Sequence, residues 1–179
     1  MLYVFGFERT AVVVGDLYFV DPDPEKGQEG PEHGVRLEVR VLQPGELKGS
    51  IYSARPIEIG ELIWRADLLE SVAGTPGSFD RTHHHPRSDG WEPGRRVFER
   101  ELSAFPVEWV IAQLADLQAV LTRAGAGGHP DDETDAESLR DALPDIQNAI
   151  NRLLAQVRAG ELAVPPEDGE LASARAGWL

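Results

Sequence analysis

Three consecutive histidines, His83-His84-His85, lie between Arg81-Thr82 and Pro86-Arg87-Ser88-Asp89-Gly90-Trp91-Glu92. No other part of the chain places histidines next to one another. In an extended segment alternate side chains point the same way, so His83 and His85 share a face. Asp80, Asp89 and Glu92 are the nearby carboxylates, and Asp89 is the third ligand we expect. Two imidazoles with a carboxylate suit a divalent transition metal of the first row. No H-E-x-x-H pattern accompanies them, and neutral histidines also bond backbone carbonyls or stack on an aromatic ring such as Trp91.

The same stretch is basic. Between Arg81 and Arg100 there are five arginines against Asp89, Glu92 and Glu99. Guanidinium forks match carboxylate and phosphate oxygens in pairs, so Arg81, Arg87, Arg95 and Arg96, with Trp91, form a candidate site for an anion or small ligand. Pairing with the many acids of the chain is the simpler use of these arginines.

Other chemistries find less support. The carboxylates of Asp21-Pro22-Asp23-Pro24-Glu25 follow no EF-hand pattern and read as a solvated acidic loop. Asp131, Asp132 and Glu133 read as favourable charge at a helix N-terminus. No G-x-S-x-G elbow surrounds any serine, and dinucleotide and phosphate-loop glycine patterns are absent. With no cysteine there is no disulfide, thiolate ligand or cysteine nucleophile.

The elements that must position these residues divide in two. Leu2 to about Val20 is β-branched and aromatic, with a hairpin turn expected at Gly15-Asp16. Asp21 to Gly34 reads as a loop. Val35-Arg36-Leu37-Glu38-Val39-Arg40-Val41 alternates with period two, which predicts a strand with one buried and one wet face. Leu47 to Ala54 and Ile57 to Asp67 continue the β pattern, although Trp64 to Glu70 also fits a short helix. Gly74 to Gly94 is a long loop carrying the histidines, and Arg96 to Leu102 reads as a further strand.

Pro106 suits the first turn of a helix, and Val107, Val110, Ile111, Leu114, Leu117 and Leu121 follow at helical spacing. Thr134-Asp135-Ala136-Glu137 has the form of a capping box ahead of Leu139, Leu143, Ile146, Ile150, Leu153 and Val157. Pro144 falls inside that run, where it kinks the helix or marks its start. The fold class is therefore α+β: an N-terminal antiparallel β-sheet with a C-terminal antiparallel helix hairpin packed on it. One domain spans 1–160, mainly β over 1–104 and a helix pair over 105–160, with a flexible tail over 161–179.

The net charge of −14 over 179 residues opposes duplex nucleic acid and anionic membrane surfaces. No apolar run reaches the ~20 residues of a bilayer span, and the N-terminus lacks the basic region of a signal peptide, so a cytoplasmic, soluble protein is expected. Lys26 and Lys48 are the only lysines among 17 basic residues, a bias of GC-rich bacterial coding sequences. The leading expectation is a protein-interaction or accessory domain without catalytic activity. A protein partner or a homodimer through the helices is expected, since Val110 and Leu154 widen their apolar stripes. The alternative is a metal-dependent hydrolase or isomerase using the His83–Glu92 loop.

Overall fold

The β-branched and aromatic residues of the N-terminal part form an antiparallel meander in the computed structural model, which describes residues 1–24, 26–45 and 56–165. Strands β1 (Leu2–Gly6), β2 (Thr10–Val20), β3 (Pro31–Pro44) and β4 (Ile57–Ser71) pair in chain order, and the short β5 (His83–His85) adds to β4. A separate two-strand ribbon joins β6 (Ser88–Asp89) to β7 (Glu92–Pro93). The expectations for Leu47 to Ala54, for Glu25 and for the tail from residue 166 lie outside the described residues.

One sheet face is apolar. Val12 and Val14 of β2, Val35, Leu37 and Val39 of β3, and Trp64, Ala66 and Leu68 of β4 are buried under the helices. These are α1 (Arg100–Ala104), α2 (Pro106–Ala115), α3 (Leu117–Ala124) and α4 (Asp132–Arg158). Helix α4 contacts β1, β2 and β3 as well as α2 and α3, and α3 reaches β4. Leu139, Ile146, Ile150 and Leu153 carry the apolar stripe of α4 into this core.

Several local expectations are corrected. Gly15-Asp16 is no turn: β2 runs straight through it, paired with Arg36 and Val35. Asp16 bonds the N-terminal ammonium and accepts from Ala163 N at 3.0 Å, so its carboxylate serves tertiary contacts. That second bond also holds the first residues of the expected flexible tail. The loop from Asp21 ends at Gly30, because Pro31 and Gly34 lie within β3. Gly34 is required there: a Cβ would meet the carbonyl oxygen of Leu68 at 2.1 Å. Trp64 to Glu70 is strand, since it lies between β3 and β5 and fills both ladders.

Arg96 to Leu102 is not a strand. Only Val97 bridges to His84, and the chain turns into α1 to bury Leu102. The first predicted helix is broken at Asp116, whose side chain accepts from Ala119 N at 3.2 Å and caps α3. Helix α4 starts at Asp132, before the expected capping box, and continues through Pro144. Val110 and Leu154 are both buried within this chain, so the width they add to the stripes is used in its own core.

Candidate metal centre

The second sheet face carries charge where solvent contact was expected. Arg36, Glu38 and Arg40 alternate with the apolar residues of β3, yet Glu38 and Arg40 are buried and the Arg36 side chain is nearly so. Burial is tolerable because each charge is paired. Arg40 Nε donates to Glu38 at 2.6 Å, Arg65 Nε to Asp67 Oδ2 at 2.7 Å, and Arg36 Nε to Asp67 Oδ1 at 2.8 Å. The register sets this zipper by placing Arg36 opposite Asp67 and Glu38 opposite Arg65. Segments from the two long connections cover it. Arg81 binds the carbonyls of Gly27 and Glu29, Arg96 pairs with Asp21 at 2.9 Å, and Trp91 lies 5.0 Å from the Arg40 guanidinium carbon.

The β4–β5 register sets His83 opposite Asp67 and His85 opposite Arg65, bringing both imidazoles onto this face. His84 points the other way, packing against Trp64 and Trp109, with its Nε2 3.0 Å from Glu99 Oε1. Burial lowers the pKa of His84, against the pull of Glu99.

The hydrogen bonding of His83 and His85 defines the site. His83 Nδ1 lies 2.8 Å from the Arg81 carbonyl oxygen, and His85 Nδ1 lies 2.6 Å from that of Gly94. A carbonyl only accepts, so each Nδ1 carries the proton, and in a neutral ring Nε2 then presents a lone pair. Burial holds the pKa of His85 below its ordinary value even with Asp67 beside it. Both Nε2 atoms are buried and complete no hydrogen bond among the described residues. They stand 3.3 and 3.6 Å from Asp67 Oδ2, and the three atoms lie within 4.8 Å of one another. A tetrahedral ion with bonds of about 2.0–2.1 Å holds its ligands roughly 3.3–3.4 Å apart. The two nitrogen-to-carboxylate spacings have that size.

Asp67 is fully buried. Burial by itself raises a carboxyl pKa, but the Arg36 and Arg65 guanidinium groups outweigh it and hold Asp67 well below the usual range. Asp67 is thus an anion, fixed in orientation by arginine as the rings are fixed by carbonyls. Such outer contacts orient metal ligands.

Asp67 escaped the sequence analysis because it sits in the stretch that fitted helix as well as strand. The signal was present in the alternation Arg65-Ala66-Asp67, which continues the charged face of β3. Asp89, the expected third ligand, is exposed in β6 opposite Glu92 and outside the cluster. Asp80 instead accepts from Ser71 N and Ser78 Oγ, both at 2.9 Å.

Four of the five residues of the expected anion site have separate partners. Arg81 is bound to the 27–29 loop, Arg87 Nε donates to the Arg123 carbonyl at 2.9 Å, and Trp91 covers Arg40. Only Arg95 and Arg96 share a cleft, of about 380 Å³, with Asp21, Asp23 and Phe98. Phe98 connects this cleft to the Asp67–His83–His85 cluster, its ring centroid 5.4 Å from that of His83. Among known proteins, no family model, curated sequence or solved structure matches this chain.

Proposed function

We propose that this protein binds one divalent first-row transition-metal ion through Nε2 of His83, Nε2 of His85 and Oδ2 of Asp67. The observation that carries this reading is the pair of buried Nε2 atoms whose Nδ1 protons are already committed to carbonyls, both directed at one carboxylate oxygen. Lone pairs and an anion repel unless a cation stands between them. Imidazole with carboxylate selects zinc, iron, cobalt or nickel over magnesium and calcium, which prefer all-oxygen shells. Ligands this deeply enclosed favour an ion that holds the β4 and β5 strands together, consistent with an accessory domain.

Untagged, metal-stripped protein titrated with Zn²⁺ by calorimetry is expected to take up one equivalent with a Kd under about 1 μM. The His83→Ala/His85→Ala variant is expected to lose that uptake. Absence of binding by the unmodified chain would show that protons, not a metal, bridge the imidazoles to Asp67.

A further inference from the structure

We infer that the β1 edge of the sheet is an interaction surface and that its occupant is a second copy of this chain, joined strand to strand. Strand β1 pairs with β2 alone, whereas the opposite edge, β5, is closed by the reciprocal backbone bonds of His84 and Val97. Phe7 N donates to Thr10 O at 2.9 Å and Asp16 N to Met1 O at 3.4 Å. By the alternation of an antiparallel ladder, Met1, Tyr3, Phe5 and Phe7 therefore turn their backbone groups toward β2. Leu2, Val4 and Gly6 turn theirs outward, and no described residue bonds them. Natural sheets blunt such an edge with charge, proline or a bulge. Leu2-Tyr3-Val4-Phe5-Gly6 has none of these.

The strand is complementary to itself. Antiparallel pairing about a two-fold axis at Val4 sets Val4 against Val4 of the second copy and Leu2 against its Gly6. These are the residues whose N–H and C=O groups point outward, and each such pair exchanges two bonds. Between them Tyr3 comes opposite Phe5 of the second copy at the closer, non-hydrogen-bonded spacing, a favourable position for an aromatic pair. Tyr3 and Phe5 are only partly buried beside the helices, and on the other face Leu2 and Val4 are 52% and 44% exposed. One register thus gives apolar cover to both faces of the strand. No charged side chain lies within it, so no like charges meet across the ladder despite the acidic surplus of each copy. The apolar stripes of the helices, by contrast, are buried in the chain's own core. A five-residue ladder is a small contact, which sets the expected dimer in the micromolar range.

Sedimentation equilibrium of the full, untagged chain from low to high micromolar concentration is expected to show a monomer–dimer equilibrium. Val4→Lys sets two ammonium groups against each other and is expected to weaken the dimer at least about tenfold. Because this variant also lowers the net negative charge of each copy, its weakening reports the local contact and not general repulsion. Val4→Pro removes the outward N–H at the centre of the ladder, leaves the bonds to β2 in place, and is expected to weaken the dimer as well. Circular dichroism checks that both variants fold; should Val4→Pro not, Val4→Lys decides alone. A mass of one chain at every concentration would overturn the inference, as would a dimer that both variants leave at wild-type affinity.

Discussion

Asp67 joins two strands through one carboxylate, pairing with Arg36 from β3 and Arg65 from its own strand, while the imidazole Nε2 atoms of β5 stand 3.3 and 3.6 Å away. Its folded pKa lies below that of an unfolded aspartate, about 3.9. A depressed carboxyl contributes stability above the unfolded value and loses it as pH falls through the folded one. Metal-stripped protein is therefore expected to weaken progressively below about pH 4. Asp67→Asn leaves two largely buried guanidinium groups without their anion and is expected to cost about 3–5 kcal/mol at neutral pH, with a shallower acid dependence. Urea denaturation at a series of pH values measures both, and a variant with wild-type stability and acid slope would contradict this account.

Among the elements, α4 has the widest reach, and two side chains of its first turn fasten it to the sheet. Asp135 is fully buried and accepts from Glu8 N, Thr10 N and Thr10 Oγ1, each at 2.8 Å, and from Arg9 N at 3.2 Å. Asp132 beside it accepts from Gly128 N and His129 N and pairs with Arg9. These bonds explain why the helix begins before the Thr134 box: acids of the first turn serve the β1–β2 turn and the α3–α4 connection. Asp135→Ala would strand several backbone N–H groups at once and is expected to cost at least ~2 kcal/mol in equilibrium unfolding. A change within about 0.5 kcal/mol, the range of ordinary surface substitutions, would show that water replaces the carboxylate there.

At the scale of the molecule, the acidic surplus and the fate of the basic stretch act together. The arginines between Arg81 and Arg96 that looked available for an anion are largely tied to carbonyls or to Asp21. A net charge of −14 then repels phosphate backbones without a local patch among the described residues to compensate. No appreciable binding to duplex DNA at physiological salt is expected, and tight, salt-sensitive binding in an anisotropy titration would refute it. Among the described residues, no helix is long and apolar enough to cross a membrane.

The α+β class, the four-residue and three-residue spacing of α4 and the shared face of His83 and His85 were legible because each depends on local periodicity. Leu139, Ile146 and Ile150 announce a helical stripe whatever they pack against. Which charged residues are buried was not legible, because alternation in Val35 to Val41 separates two faces without saying what covers the second. Loop residues far away in sequence, around Gly27 and Trp91, cover it. Pairing Asp67 with His83 likewise depends on the register between β4 and β5, across a connection whose path the local sequence does not encode. Periodicity chose the faces; register and the covering loops turned one of them into a site.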